Sequence, residues 1–272
     1  MKMLTATAAA LVLSAGSLSS AQLIRSGASA DAAGLQAIVD TYRNDLGALN
    51  APAPGTVGSG RRQIDWDAAP DAVSANNPFP GDFFNANFAP RARGVEFTTP
   101  GTGFQLSATD ASGVGVRFDN IDLSYSSTFS AFSEERLFSP LGSTITDVEF
   151  FIPGSDQRAT TTGFGAVFSD VDLYGSSSIE YFDAEGDSLG VFNVEAGPTA
   201  DGSLSFFGLS FDEPIIGSVR ITSGNNPLGG PESGSGYDLV VLDDFIFGEP
   251  VPTPGALSLL GVAGLAGARR RR

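Results

Sequence analysis

The amino-acid sequence predicts a mainly β protein: a jelly-roll-like sandwich of two antiparallel sheets, with one N-terminal amphipathic helix and a short C-terminal hydrophobic helix. Between residues 61 and 249, short runs rich in Val, Ile, Phe and Tyr alternate with Gly, Pro, Asn and Asp, as β-strands alternate with turns. No helical periodicity separates these runs, which favours a two-sheet sandwich over a closed barrel. The chain lacks cysteine, so a hydrophobic core must hold the domain together, and 21 phenylalanines can supply much of it.

Residues 1–21 have the pattern of a secretory signal peptide. Lys2 precedes an apolar core at residues 4–13, and Ser19 and Ala21 are small residues that suit signal peptidase. Cleavage is therefore predicted after Ala21, and we expect the protein to be exported.

Residues 22–60 are predicted to hold one helix and a linker. We expect residues 22–30 to be disordered. Apolar residues recur at helical spacing over residues 31–49, with Asp31 as the N-cap. The apolar stripe is expected to dock on the main domain, with contact to another protein as the alternative. The Pro and Gly content of residues 51–60 predicts the linker.

The sandwich domain, residues 61–249, is expected to contain about nine or ten strands. Its clearest hairpin joins residues 179–182 to 189–194 across the acidic segment 183–187. This segment lacks the terminal Glu of an EF-hand loop, so we interpret it as a solvated turn.

Residues 250–272 form a tail with a Pro-containing spacer, an apolar run and four terminal arginines. The apolar run has 14 residues and is weakened further by Gly261, Gly264 and Gly267, whereas a membrane-spanning helix needs about 20 residues. Two interpretations remain: a short terminal transmembrane helix, or a transient stop in the membrane that a processing enzyme removes.

The order of elements in this tail resembles the PEP-CTERM sorting signal, which exosortase-type membrane enzymes recognise. The matching residues are Pro252, Thr253 and Pro254, the apolar run, and Arg269, Arg270, Arg271 and Arg272. Thr253 stands where the family has Glu. The resemblance implies an exosortase-type processing enzyme as partner, transient association of the tail with the inner membrane, and a final location at the cell surface or in the extracellular matrix, linked to polysaccharide.

Charge and composition exclude several functions. Without the two ends, ten of the 15 basic residues remain against all 31 acidic residues. Nucleic acid and anionic lipid are poor partners for such a surface. The chain has neither His nor Cys, which excludes Ser-His-Asp and Cys-His nucleophiles and His-ligated metals. Carboxylate chemistry and hard cations bound by oxygen remain available.

Three aspartates are the candidate metal ligands. Asp170 and Asp172 are two residues apart, so in a strand they would share one face. Asp243 and Asp244 are adjacent and would point to opposite faces, which would bury one charge that needs a cation, an Arg or several donors. Calcium, bound by Asp170, Asp172 and Asp243, is therefore the candidate cofactor.

Trp66 is the candidate ligand-binding residue. It is the only tryptophan and lies in the sequence GRRQIDWD, between carboxylates and close to two arginines. It would either stack on a sugar or lie in the core with Arg–Asp pairing nearby. The Phe-rich stretch at residues 76–88 is expected to be an irregular loop packed across one sheet, or the rim of a ligand site.

Residues 60–67, 163–172 and 242–245 resemble a family of uncharacterised secreted bacterial proteins, several with similar tails. The apolar-Asp-Asp-apolar step at 242–245 also resembles the closing strand of many carbohydrate-binding and adhesion jelly-rolls. Neither resemblance implies an enzymatic activity. We therefore expect a structural or carbohydrate-binding protein and no enzyme. The alternatives are a calcium-stabilised adhesin and a carboxylate-dependent glycoside hydrolase or lyase.

Overall fold

The computed structural model describes residues 21–230 and 236–253. The signal peptide preceding Ala21 and the tail from Pro254 onward, including the predicted C-terminal helix, lie outside the described residues. Within the described residues, no helix is both long enough and apolar enough to cross a membrane.

The described residues form fourteen strands, two α-helices and two short 3₁₀ helices. The strands are β1 (Gln22–Ser29), β2 (Arg61–Ile64), β3 (Val95–Thr98), β4 (Gly103–Leu106), β5 (Phe138–Leu141), β6 (Ile145–Phe150), β7 (Ala159–Thr160), β8 (Gly163–Ser169), β9 (Ser178–Phe182), β10 (Ser188–Asn193), β11 (Leu204–Phe211), β12 (Ser218–Thr222), β13 (Val241–Gly248) and β14 (Val251–Pro252). The helices are α1 (Ala32–Leu46) and α2 (Tyr125–Thr128), and the 3₁₀ helices are Asp71–Val73 and Asp110–Ser112.

The strands form two antiparallel sheets and a short ribbon. The larger sheet has the order β1-β11-β8-β13-β5-β4, with β2 also pairing with β13, and the smaller sheet has the order β10-β9-β12-β6-β3. Strands β7 and β14 form the ribbon. The prediction of a mainly β, antiparallel fold is confirmed.

The main hydrophobic core lies between the two sheets. Phe150 and Tyr181 from the smaller sheet pack with Phe164, Phe245 and other buried side chains of the larger sheet. Strand β6 alternates between buried and partly exposed residues because its sheet covers the core with one face only. Strands β8 and β13 are buried along their whole length, which requires a second layer on the outer face of the larger sheet.

Helix α1 supplies that second layer. Asp31 caps it by accepting a 2.8 Å hydrogen bond from the Gly34 amide. The apolar side of the helix is buried against the sheet, where Tyr42 donates a 2.8 Å hydrogen bond to the Leu209 carbonyl. A Cβ atom at Gly208 would lie 2.8 Å from the Tyr42 ring, so this close approach requires glycine. The stripe docks on the main domain, as the sequence predicts.

The prediction that residues 22–30 are disordered is wrong. Strand β1 pairs with β11 along all eight of its residues, from Gln22 opposite Phe211 to Ser29 opposite Leu204. It is an edge strand, and its residues are mostly exposed or half-buried. Main-chain hydrogen bonds to β11 hold the segment in place, so it does not need alternating apolar side chains. Its sequence therefore lacks the alternation by which strands are recognised.

The Pro/Gly segment at residues 51–60 contains no helix or strand, but it is attached to the domain. The buried Glu249 carboxylate accepts hydrogen bonds from the Val57 amide at 3.0 Å and from the Asn50 side chain at 2.9 Å. The same carboxylate forms a two-point ion pair with Arg62, at 2.7 and 2.8 Å. This network joins the segment to the end of β13.

The hairpin predicted around residues 183–187 is confirmed. Strands β9 and β10 pair antiparallel, and Asp183 accepts hydrogen bonds from the amides of Glu185 and Asp187, at 3.0 and 2.8 Å. The Asp183 carboxylate therefore stabilises the turn, as turn-forming aspartates commonly do.

Candidate ligand-binding groove

Trp66 lies in the core, immediately after β2. Its side chain is fully buried, and its ring stacks on Phe138 with a centroid distance of 4.4 Å and an interplanar angle of 3°. The indole Nε1 donates a 2.8 Å hydrogen bond to the main-chain oxygen of Asp243. Phe138 covers the ring face that a sugar would need, so the structure matches the core alternative for Trp66.

Asp243 and Asp244 do not point to opposite faces, and that prediction is wrong. The register between β13 and β8 shifts between Leu242 and Phe245, which marks a β-bulge. In a bulge, one extra residue interrupts the alternation of side chains. As a result, both carboxylates reach the hydroxyl of Ser133, at 3.4 Å from Asp243 and 2.6 Å from Asp244.

The two buried charges of the bulge are met by protein donors. Asp243 also accepts a 2.6 Å hydrogen bond from the Phe132 amide, and Asp244 pairs with Arg43 on α1 at 2.7 Å. Burial raises the pKa of both carboxyls, and the neighbouring Asp244 charge raises that of Asp243 further. A buried charge needs a cation, an arginine or several hydrogen-bond donors. In this bulge, an arginine and several donors stabilise the carboxylates.

Asp170 and Asp172 do not share a strand face, because β8 ends at Ser169 and Asp170 has a left-handed φ of +73°. The Asp170 carboxylate accepts a 3.0 Å hydrogen bond from the Gly202 amide. Burial, followed by the Asp172 charge, raises the pKa of Asp170 to about 8. The buried Asp238 accepts hydrogen bonds from the amides of Asp172 and Leu173, at 3.2 and 3.1 Å.

These aspartates do not assemble the predicted calcium site in the described residues. Asp170 and Asp243 share no hydrogen-bond partner: the first contacts Gly202, and the second contacts Phe132 and Ser133. Among residues 21–230 and 236–253, no group of three or more acidic side chains is arranged to hold a metal ion.

A cavity of about 300 Å³ lies beside Trp66. Its floor is apolar and includes Ala69, Phe83 and Phe84, while Asp65 and Arg91 are among the polar residues of its wall. Volumes of this size, with an apolar lining and few polar groups, are typical of small-molecule sites. The sequence predicts Trp66 as the ligand-binding residue, whereas the cavity is lined mainly by residues close to Trp66.

The Phe-rich segment positions the floor of this cavity. The Phe79 amide donates a 2.9 Å hydrogen bond to the Phe104 carbonyl on β4, and the Phe97 amide donates one of 2.9 Å to Gly81. A Cβ atom at Gly81 would lie 2.2 Å from the Phe97 carbonyl oxygen, so the approach requires glycine. The segment thus packs against the sheets, as the first alternative predicts, and its Phe83 and Phe84 also line the cavity.

Two arginines stand at the wall of the cavity. The Arg91 guanidinium lies 3.8 Å from the centroid of the Phe83 ring and 5.3 Å from that of Phe88. The Arg93 guanidinium lies 5.0 Å from the Phe84 ring and donates a hydrogen bond to the Gln63 carbonyl. Cation–π contacts of this kind hold a guanidinium in place while leaving its outer nitrogens available.

A second cavity of about 130 Å³ continues the site, because Asp65 and Arg93 line both cavities. We call the two cavities together the Arg93 groove. Leu49, which is 53% exposed, lines the second cavity, and Phe88, which is 50% exposed, contacts Arg91 at the first. The groove therefore has an Asp65–Arg93 centre with an exposed apolar residue towards each end.

The predicted processing sites do not line this groove. Ala21 and Gln22 line a cavity of about 650 Å³ together with Glu249 and Val251, so the first and last parts of the described domain meet there. Pro252 belongs to the β14–β7 ribbon, and Thr253 follows it. Pro254 and Arg269–Arg272 lie outside the described residues.

The fold and the groove define a β-sandwich-like protein with a ligand-sized groove beside its only tryptophan. No protein-family model, no curated protein and no solved structure matches the chain.

Proposed function

We propose that this chain is an exported protein, sorted to the cell surface or extracellular matrix, whose β-sandwich binds polysaccharide in the Arg93 groove. The observation that carries the proposal is the composition of the groove, with an apolar floor at Phe83, Phe84 and Ala69 and a polar wall at Asp65, Arg91 and Arg93. A sugar ring offers the complementary surface, since it has apolar C–H faces and a hydroxyl-bearing edge.

The two-part shape of the groove suits a chain of sugars better than an isolated one. Asp65 and Arg93 line both cavities, so a polar pair would lie between two adjacent sugar units. Phe88 and Leu49 would then add apolar contact towards the two ends.

A binding role is favoured over hydrolysis by the distribution of carboxylates. Among the described residues, Asp65 is the one carboxylate that lines the two cavities, whereas most glycoside hydrolases use a pair about 5–10 Å apart across the scissile bond. The adjacent Asp243 and Asp244 are buried and bonded to Ser133 and Arg43.

We infer a jelly-roll topology for the sandwich from its connections. The chain passes from one sheet to the other between β2 and β3, β3 and β4, β5 and β6, β8 and β9, β10 and β11, β11 and β12, and β12 and β13, and also between β6 and β8 by way of β7. The first strand of the segment 61–249, β2, pairs with its last long strand, β13. Alternation between two sheets with paired ends is characteristic of jelly-rolls.

The proposed route to the surface uses the two predicted signals at residues 1–21 and 250–272. Cleavage after Ala21 and recognition of the tail by an exosortase-type enzyme would act on one side of the domain, because Ala21, Gln22 and Val251 line the same cavity. The tail would enter the inner membrane transiently before processing.

A glycan array tests the binding function. The full chain is compared with Ala68→Trp, which places a large side chain at an exposed position of the groove, and with Ala37→Trp, which changes an exposed position on α1. We expect binding to at least one glycan class that Ala68→Trp abolishes and Ala37→Trp retains. Binding that survives Ala68→Trp, or an array without any bound glycan, would overturn the proposal.

A further inference from the structure

We infer that the Arg93 groove selects acidic polysaccharides, binding the carboxylate of a uronic-acid unit through Arg91 and Arg93. This inference rests on the glycan-binding function proposed above and narrows it to one class of sugar.

The first observation is which of the arginines form salt bridges. The described residues contain ten arginines, in a chain with 31 acidic residues. Six of the ten form salt bridges within the described part of the chain: Arg25, Arg43, Arg62, Arg136, Arg158 and Arg220. Carboxylates are thus abundant, and most of the arginines pair with one.

Four arginines have no carboxylate within salt-bridge distance among the described residues, and two of these four, Arg61 and Arg117, line neither cavity of the groove. Arg61 donates hydrogen bonds to the carbonyls of Arg43 and Gly47, at the C-terminal end of α1, where the helix dipole favours a positive charge. Arg117 donates to the nearby Ser126 carbonyl. The remaining two, Arg91 and Arg93, line the same cavity.

The second observation is how these two guanidinium groups are held. Arg91 donates through Nε to the Phe83 carbonyl at 3.0 Å, and Arg93 donates through one terminal nitrogen to the Gln63 carbonyl. Their other terminal nitrogens make no hydrogen bond to the described residues. Both groups are therefore positioned by aromatic rings and carbonyls while keeping donors for a ligand.

Electrostatics favours an anion at this place. Arg93 is partly buried, and this burial lowers its pKa from the usual range because it destabilises a charged guanidinium; the nearby Asp65 charge raises the pKa but does not offset the effect of burial. A ligand carboxylate would restore the lost solvation and can accept two parallel hydrogen bonds from an arginine. Asp65 also lines the groove and would accept hydrogen bonds from sugar hydroxyls.

The excess negative charge of the rest of the chain opposes the binding of an anionic sugar only at long range. A polyanionic sugar is repelled at long range by the protein's net charge, and this repulsion is screened by salt. Short-range contacts at Arg91 and Arg93 are screened less, because they are partly removed from solvent. Moderate salt should therefore leave uronate binding intact, unlike the binding of polyanions to basic surfaces.

The test is a calorimetric titration of the full chain with three matched oligosaccharides: oligogalacturonate, its methyl ester and neutral oligogalactose. We expect oligogalacturonate to bind at least about tenfold more tightly than the other two. Arg91→Gln and Arg93→Gln should each remove most of this preference, and Arg93→Lys should retain part of it. Arg117→Gln is the matched control and should leave the preference unchanged.

The outcomes distinguish the preference for acidic sugars from glycan binding in general. Equal affinity for the acid and its methyl ester, abolished by Ala68→Trp, would overturn the acidic preference and leave glycan binding standing. Absence of binding to all three sugars, together with an array that shows no bound glycan, would overturn both. Arg91→Gln changes a half-exposed side chain outside the core, so it remains informative if Arg93→Gln fails to fold.

Discussion

The indole nitrogen of Trp66 donates a 2.8 Å hydrogen bond to the main-chain oxygen of Asp243, at the bulge of β13. This bond joins the inner wall of the Arg93 groove to the central region of the larger sheet. It satisfies a buried carbonyl that the bulge removes from regular pairing with β8. The position of Trp66, and with it that of Asp65 beside the groove, therefore depends on the bulge.

Trp66→Phe tests this link. The variant loses the hydrogen bond to Asp243 and leaves a gap against Phe138, so the free energy of unfolding should fall by about 2–4 kcal/mol. Urea denaturation at pH 7 measures the change. Tyr174→Phe, at a side chain that is 80% exposed, is the control and should stay within about 0.5 kcal/mol of the unchanged protein. Equal effects of the two substitutions would contradict this role of Trp66.

Asp170 should make the domain less stable as the pH rises. Its pKa is raised from 3.8 to about 8 in the folded protein, so between these values the folded state holds a proton that the unfolded chain releases. The free energy of unfolding therefore falls with rising pH in this window, by up to about 1.4 kcal/mol per pH unit from this group.

Asp170→Asn removes this titration while keeping an oxygen that can accept the Gly202 hydrogen bond. Asparagine also tolerates the positive φ at this position. We expect the variant to be more stable than the unchanged protein at pH 8.5 and to lose this advantage near pH 4, as measured by denaturation across pH. Asp156→Asn, at an exposed position, is the control. Destabilisation by Asp170→Asn at pH 8.5 would mean that the ionised carboxylate has a favourable partner.

The ion pair of Arg62 and Glu249 should be essential for stability. Both side chains are nearly fully buried, so Glu249→Ala leaves a buried guanidinium without a counter-charge and should cost about 3–5 kcal/mol. The amide of Val57 should also exchange faster with solvent, because it loses its acceptor. Denaturation and hydrogen exchange measure the two effects.

Glu149→Ala is the matched control for that experiment. Glu149 pairs with Arg158 at the surface, where their side chains are 33% and 56% exposed, and exposed pairs contribute about 0–1 kcal/mol. A loss of stability as large as that of Glu249→Ala would show that burial does not determine the difference.

Removal of calcium should leave the thermal unfolding midpoint unchanged. The acidic side chains of the described residues do not converge in groups of three or more that could hold a metal ion, and the buried Asp243 and Asp238 are bonded to protein donors. Thermal denaturation with calcium and with a chelator measures the effect. A midpoint that falls on chelation would instead establish a structural cation and favour the calcium-stabilised adhesin.

The elements predicted correctly from sequence are those with local signals. Helix α1 follows from the spacing of Leu35, Val39 and Tyr42 and begins at the predicted cap, Asp31. The hairpin of β9 and β10 follows from two apolar runs around the turn at Asp183. In each case the residues that specify the structure lie within about two helical turns or one hairpin of one another, so their pattern is visible in the chain.

Contacts between distant segments decided the rest. Strand β1 is held by main-chain hydrogen bonds to β11, almost 180 residues later, and such bonds require no particular side chains. The bulge at Asp243 appears only when β13 is aligned with β8. The Arg93 groove is lined mainly by the long irregular segment between β2 and β3, whose residues Asp65, Phe83 and Arg93 are brought together around Trp66. The sequence by itself determined the fold class and the local elements, because periodicity and capping act between near neighbours. The tertiary structure alone decided the groove, because the segment between β2 and β3 has no regular periodicity and takes its shape only by packing on the sheets.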